Sequence, residues 1–591
     1  MAEQNFKASD IKGFTPSIEP TRSEELFALT GRNYVFDTRG PKSSFGNRYL
    51  LPQALGKPEH TQGLRLKLRG GDRCFTFTSD SILEWDESAG GWKIIYITPY
   101  TGNGPNRWSW GYLNGLLFFC HPRTGILVYT IETGICQPHS DIGIGTPEEA
   151  LSIVVNNGFL CVVTPILFGW SAPSNGLDFN PTLGGAGFQL ISDRVSGFPL
   201  AVSSYTRGCL TWTTGGVMRS EFSGDQAVFR HRALQTEYRP VNSFCTCKID
   251  DDTVVILDER GLFQSKGEAP IPLTPIFNEF FQKYLQENNI NLGTNVRIEW
   301  DELQRFMYIS TSLTESNPLY ENCFVLYPNL DKWGQFNEQH YGILPLLVKG
   351  STRADDFYGY VDSDGRVRYW QNTGSREVRV EDSITARGAN LAYPPMQKPF
   401  GYEDGAAGTI LSSSGVANTF VDSSVSGPAG FYTWDGNSAI VLAPERTGLN
   451  ARIVFGLLRV LGQQSPDQLG EVTAVMIRSL SEDNASVGTG FNIDPNAPAS
   501  MNLNQTDPAI SERFTDENYV NHKLRIIGTV DGESVFTDQT PSLVGFAKSV
   551  RYYSCSVIGL WHMMELRADD VGESFHPVTF EVTAIPAGRL N

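Results

Sequence analysis

The sequence predicts an all-β protein: an irregular β-propeller with a short inserted helix, followed by a second, C-terminal β-domain. Three observations lead there. Apolar and polar residues alternate with a period of two through much of the chain, the pattern of half-buried strands. Gly, Asn, Asp and Pro interrupt those runs at short intervals, as turns between hairpin strands do. Aromatic residues make up 12% of the chain and glycines number 58, which suits short strands and tight turns.

At 591 residues the chain exceeds one ordinary domain. Its 40% hydrophobic and 19% charged residues suit substantial cores. It divides into an N-terminal, mostly extended arm over 1–60, a propeller-like domain over 61–375, and a C-terminal β-domain with Gly/Ser-rich loops over 376–591. The arm is polar and rich in Pro and Gly, and Glu24 to Leu29 is expected to make one helical turn.

From about residue 65 the period becomes two. Leu64, Leu66 and Leu68 alternate with Arg65, Lys67 and Arg69, giving a strand with one basic face that reads as solvated. Strand-turn-strand units then succeed one another. Cys74 to Trp85 leads into Trp92 to Thr98, and Trp110 to Cys120 turns into Ile126 to Ile131. Leu151 to Val155 turns at Asn156-Asn157-Gly158, where Asn-Gly is a strong hairpin signal. Further hairpins follow at Leu210 to Met218, Phe244 to Leu257, Asp258 to Phe263, Val296 to Ile309, Cys323 to Trp333 and Phe357 to Trp370. One helix interrupts: Thr274 is placed to cap it, Pro275 suits its first turn, and Ile276, Phe277, Phe280, Phe281, Tyr284 and Leu285 form one apolar face. Leu83-Glu84-Trp85-Asp86-Glu87 recurs as Ile298-Glu299-Trp300-Asp301-Glu302. With hairpins about every 40 to 50 residues, this echo suggests propeller blades, a pair of β-sandwiches being the competing architecture.

Residues from about 375 to 450 are rich in Gly, Ser, Ala and Pro and read as long loops. Beyond them Ala451 to Leu461, Glu471 to Leu480, Lys523 to Val530, Ser549 to Leu560, Met563 to Arg567 and Val578 to Ile585 are strand-like.

The formal net charge of -18 lacks the basic footprint of a duplex-DNA binder. An acidic wall would repel phosphate and let a nucleic acid slide past. Nine scattered cysteines, several in apolar runs, read as buried free thiols formed in a reducing cytoplasm. The polar start Met1-Ala2-Glu3-Gln4-Asn5-Phe6 has no signal-peptide pattern, and no run is long enough to span a bilayer.

Catalytic, cofactor-binding and metal-binding residues are each read as none; no cofactor and no enzyme activity are expected. Ser363-Asp364-Gly365 has the wrong spacing for a sialidase-type Asp box, and the pairs Asp86/Glu87, Asp301/Glu302 and Asp355/Asp356 sit in turns. Cys245-Thr246-Cys247 has no second ligand pair, and His562 and His576 read as structural. Asp250-Asp251-Asp252 and Asp362-Ser363-Asp364 lack EF-hand spacing. Gly184-Gly185-Ala186-Gly187 lacks the strand and helix of a phosphate-binding loop.

Four segments carry a family resemblance. They are Gly31-Arg32-Asn33-Tyr34-Val35-Phe36-Asp37 with Gly40 to Phe45; Leu210 to Val217 with Val241 to Phe244 and Asp258 to Gly261; Ile276 to Tyr284; and Phe324 to Trp333. Together they resemble the tail nozzle and packaged-DNA-stabilisation (tail tubular hub) proteins of short-tailed bacteriophages. The resemblance implies a structural virion protein assembled in the host bacterial cytoplasm. It implies a homo-oligomeric ring, a hexamer, below the tail adaptor and portal and in contact with tail fibres. Double-stranded DNA would pass that ring during ejection without sequence-specific binding. The alternatives are a carbohydrate- or receptor-binding tail-associated propeller, with Trp108, Trp110 and Trp170 as stacking faces, and a polysaccharide hydrolase whose site is assembled from distant loops.

Overall fold

A computed structural model describes residues 4–8, 11–14 and 26–371 except 39, 44–45, 69–70, 87–90, 99–106, 183–184, 225–227, 303, 314–318 and 347–356; it further describes 376–377, 402–404, 440–442, 446–447, 449–458, 468–479, 522–569 except 531–533 and 548–549, and 575–589. Most of the Gly/Ser-rich stretch expected as loops, and the polar stretch after 480, lie outside the described residues.

Seven sheets form a β-propeller. Blade 1 runs through Gln62–Leu66, Arg73–Phe77, Ser81–Asp86 and Gly91–Ile97, and blade 2 through Ser109–Leu113, Leu116–His121, Gly125–Thr130 and Ile135–Pro138. Blade 3 comprises Ser152–Asn156, Phe159–Val163, Leu167–Trp170 and Gly187–Leu190; blade 4 comprises Pro199–Tyr205, Gly208–Thr213, Val217–Phe222 and Phe229–Leu234. Blade 5 is Thr246–Lys248, Val254–Asp258, Gly261–Ser265 and Ile271–Pro272, and blade 6 is built on Val296–Asp301, Phe306–Thr311, Asn322–Tyr327 and Lys332–Phe336. Blade 7 takes His340–Leu346, Phe357–Asp362 and Arg366–Gln371 from the end of the propeller and Gly46–Ala54 from near the start of the chain. The first strand of each blade is innermost, and that of blade 7 meets that of blade 1, closing the ring.

Local turn chemistry explains the hairpins. Asn157 and Gly158 have φ of 48° and 80°, and Asn114 and Gly115 have 49° and 82°. Two successive positive φ angles make the primed turn whose twist matches antiparallel strands. The second of these turns divides the run Trp110 to Cys120, read from the sequence as one strand, into two. Of the echoed pentapeptides, Leu83 to Asp86 fall on the third strand of blade 1 and Ile298 to Asp301 on the innermost strand of blade 6. They are not equivalent positions, so the echo reflects shared strand alternation and not a blade repeat.

The helix spans Pro275–Asn288, and Phe277, Phe281 and Leu285 are buried between blades 5 and 6. Two details differ from the sequence reading. Thr274 makes no side-chain cap, and Ile276 is 48% exposed. The cap comes instead from Asp331, between the last two strands of blade 6, whose carboxylate accepts from the N–H groups of Ile276 at 2.7 Å and Phe277 at 3.0 Å.

The C-terminal domain is a β-sandwich. One sheet orders Gln4–Ala8, Pro577–Arg589, Gln468–Ser479, Val550–Gly559 and Ser542–Ala547; the other orders Ile11–Phe14, Leu26–Arg32, Ala451–Leu458, Trp561–Ala568, Lys523–Thr529 and Val535–Gln539. Ile453, Phe455, Ile477, Leu524, Ile526, Leu566 and Phe580 form its core. Residues 1–60, read above as an arm, thus supply strands to both sandwich sheets and to two blades. Leu26 to Leu29, expected as a helical turn, lie in a strand, because pairing with Ala451–Leu458 overrides a weak local preference.

The short strand Tyr34–Phe36 joins the two domains. It extends blade 6 through Gln335 and is followed by Pro41–Ser43. Alternate side chains of a strand point to opposite faces. Tyr34 and Phe36 enter the sandwich core, while Val35 enters the core of blades 6 and 7 with Phe336 and Tyr360. Ser43 N–H donates to Phe575 O at 2.9 Å, and His576 Nε2 lies 3.4 Å from Asp37 Oδ1 at the same junction.

Candidate functional site

The innermost strands enclose an axial cavity of about 1230 Å³. Each blade contributes residues of or beside its innermost strand, and Gly63, Arg65 and Lys67 are among those from blade 1. Of the basic face read as solvated in the sequence, Arg65 and Lys67 line this channel, while Arg69 lies outside the described residues.

Charges in the cavity are paired across and within blades. Arg65 donates to Asp72 at 2.7 Å, Lys67 of blade 1 lies 3.8 Å from Glu302 of blade 6, and Lys248 lies 3.4 Å from Asp251. Arg107 ties three blades. Its backbone N–H donates to Ser243 Oγ at 3.1 Å, its guanidinium donates to Thr246 O, and the same group lies 3.9 Å from Glu299. Next to it the Trp108 N–H donates to Gln62 Oε1 at 2.8 Å.

Arg297, wholly buried, sits behind Glu299. It pairs with that carboxylate, donates to Tyr341 O at 3.1 Å, and faces the rings of Phe244 at 5.1 Å and Tyr320 at 5.5 Å. Burial, the largest single influence, lowers its pKa; the Glu299 carboxylate and Tyr320 together outweigh burial and hold it above its usual value. No short motif announces Arg107, Arg297 or Glu299, because most of their partners lie on other blades.

The residues weighed for chemistry fall elsewhere. Cys245 and Cys247 are buried among blades 5 and 6, where the Cys247 thiol meets Met307 Sδ at 3.7 Å. Burial pushes the Cys247 thiol up to about 12 and raises that of Cys245 as well, so both stay protonated. Asp250 accepts from the N–H groups of Asp252 and Thr253, and Asp362 from those of Asp364 and Arg366, so both close turns. Among the described residues, no group of three or more His, Cys, Asp and Glu is arranged to hold a metal ion. Asp301 is buried and accepts from Tyr308 OH at 3.3 Å, while its neighbour Glu302 faces the channel. Ser363 to Gly365 form a blade 7 turn; Glu87, Asp355, Asp356 and Gly184 lie outside the described residues. His562 Nε2 contacts Val557 O at 3.2 Å inside the sandwich.

The three tryptophans are occupied by protein contacts. Trp108 stacks on Phe77 and lies against His121, Trp110 stacks on Phe77, and Trp170 stacks on His231 while donating to Gly185 O at 2.9 Å. Trp108 and Trp170 are buried, leaving Trp110 the most accessible of the three.

No protein-family model matches the sequence, and no curated protein matches it. Among solved structures the chain is similar to U3-55K and to the WD40 repeats of RRP9, each at 10% identity and a TM-score of 0.33 over 55% of this chain and 98% and 97% of theirs. It is also similar to the β-propeller domain of Cps50 (Swd1) from Myceliophteria thermophila, at 9% identity and a TM-score of 0.33 over 54% of this chain and 98% of that one. Among the described residues, no helix is long and apolar enough to cross a membrane.

Proposed function

We propose that the chain is a structural, non-catalytic subunit of the tail of a short-tailed bacteriophage, and that copies of it form the nozzle ring, a hexamer, through which the genome leaves. The observation that carries this reading is the double anchorage of Tyr34-Val35-Phe36, one strand buried in two cores. A conduit wall has to transmit force between its domains without hinging, and a shared strand prevents hinging. The same strand lies in the first segment of the family resemblance. The net charge of -18 suits a wall past which a duplex slides without adhering. The genome's path runs between copies of the chain, since Arg107 and its partners cross the axis of each propeller.

In this reading the tail adaptor, the portal side and the tail fibres are its neighbours, and assembly takes place in the host cytoplasm. Immunogold labelling of particles from a lysate of its source tests it. Label at the distal tail is the expected result. Unlabelled particles, with the epitope shown accessible, overturn it. The axial cavity favours a second reading, a propeller that binds a small polar or carbohydrate ligand; glycan binding by the isolated chain, lost on filling the cavity, distinguishes that case.

A further inference from the structure

We propose that the outer face of the sandwich sheet docks head-to-tail on the acidic flank of blades 2 and 3 of a second copy of this chain. The inference rests on the ring reading above and names the surfaces that build it.

The first observation is a row of like charges. Arg32 is paired directly opposite Arg452, Arg452 opposite Arg567, and Arg567 opposite Lys523. Directly opposed residues of antiparallel strands point to the same face, and like charges so placed destabilise the sheet. The row therefore puts four cations across four adjacent strands, about 14 Å. Arg525 adds a fifth cation one step away. Glu565, beneath Arg452, Arg525 and Arg567, and Asp538, beside Arg525, supply part of the compensation. This face is locally basic on a chain whose net charge is -18. It is also the face turned away from the sandwich core, with Arg32 and Lys523 exposed.

The second observation lies on the propeller. Between Arg123 and Arg194 there is no lysine or arginine. That stretch carries the exposed acids Glu132, Asp141, Glu148 and Glu149 on the outer part of blade 2 and its connector to blade 3. Ile135, Ile142 and Ile144 stand among them at 55%, 38% and 57% exposure. Apolar side chains rimmed by one sign of charge make a docking surface selective for the opposite sign. The complementary sign is on the sandwich of the same chain, so a second copy satisfies both surfaces. Because the two patches differ, the contact is heterologous and propagates into a ring or an open chain.

Charge reversal tests the pairing on the full chain. Sedimentation velocity is run at about 0.05 M and about 0.5 M NaCl, across the range where screening becomes strong. Wild type is expected to associate at low salt and to do so at least about tenfold more weakly at high salt. Arg32→Glu/Lys523→Glu and, separately, Glu148→Lys/Glu149→Lys are each expected to be monomeric, with unchanged circular dichroism. An equimolar mixture of the two variants is expected to associate again, since each then offers the partner charge. If Lys523→Glu impairs folding, Arg32→Glu alone, at an exposed strand end, carries the test. Association unchanged in both variants, or a mixture that stays monomeric, overturns the proposal. So does a wild type that stays monomeric but binds a labelled DNA duplex through Arg32 and Lys523, which would assign the face to nucleic acid. Virion labelling reads the tail assignment independently: labelled tails with failed charge rescue sink this interface alone.

Discussion

At the scale of single residues, Arg297 is the most consequential side chain in the propeller. It is fully buried, and its contacts reach blades 5, 6 and 7 through Phe244, Glu299 and Tyr341. Removing one partner of a buried pair leaves the other charge uncompensated, which costs about 3–5 kcal/mol. Arg297→Met is therefore expected to lower the urea midpoint by that equivalent, while Arg305→Met, at an exposed turn, leaves it within error. Equal midpoints for the two variants would show that the Arg297 contacts contribute nothing net. Tyr34 has a comparable role at the domain junction, being 0% exposed in the sandwich core. By analogy with large aromatic truncations, Tyr34→Ala is expected to cost about 3–5 kcal/mol. Its signature is specific: the sandwich and propeller, expected to unfold together in wild type, separate into two calorimetric transitions. A single transition merely shifted to lower temperature would mean that Tyr34 fills space without coupling the domains.

At the scale of elements, the helix Pro275–Asn288 depends on a residue some fifty positions away. Asp331 accepts from two of its first N–H groups, and burial raises the Asp331 pKa despite those bonds. Part of the cap is thus offset by desolvation, and Asp331→Ala is expected to cost about 1 kcal/mol, measured as a shift in the urea midpoint. Thr274→Ala, which removes no capping bond, is expected to cost less; the reverse order would restore Thr274 as the cap. This case also marks what the sequence makes legible. Pro275 and the aromatic stripe are local signals and place the helix, whereas its cap is supplied from the next blade. Hairpins were legible for the same reason: Asn157-Gly158 writes its turn into two adjacent residues. The sandwich strands from Ala451 onward were legible by alternation. The roles of Leu26–Arg32, Tyr34–Phe36 and Gly46–Ala54 were not, because their pairing partners lie some 300 to 425 residues later and polar, Pro-rich flanks hide their periodicity. The axial site was illegible likewise, since Arg107 acquires its role only when blades 5 and 6 are brought around the ring. Deleting residues 1–32 should test the nonlocal strands directly. It removes sandwich strands but leaves Gly46–Ala54 to close blade 7, so a cooperative propeller transition is expected to remain, with an enthalpy reduced by the loss of the sandwich.

At the scale of the whole molecule, the two domains share an acid weakness. His340 is 0% exposed beside Tyr320 and Phe336, His522 is 5% exposed beside Tyr553, and His562 is 1% exposed beneath Val557. Burial lowers their pKa values from 6.5 to about 3, about 3 and about 4. In each case the folded value lies below the unfolded one, so the unfolded chain binds the proton first as pH falls. Stability is then fully present above about pH 6.5 and is lost as pH falls from there toward about 4. These three alone give a slope approaching three protons, about 4 kcal/mol per pH unit at its steepest. His60 and His231, lowered by burial to about 4, and His139, also lowered by burial, add to it with the same sign. The hydrogen-bonded carboxylates Asp250 and Asp538, with pKa values lowered from 3.8, lose their contribution only below that pH and leave this window to the histidines. Asp331, raised by burial, opposes the trend by at most one proton. Urea unfolding between about pH 7.5 and about pH 4.5 is expected to show a steadily falling midpoint, and His340→Asn, which keeps a hydrogen-bonding group beside Ser310, to flatten the slope by about one proton. A midpoint constant from about pH 6.5 to about pH 4.5 would mean that the buried imidazoles take up protons in the folded state, and that burial at these three sites is relieved by motions of both domains.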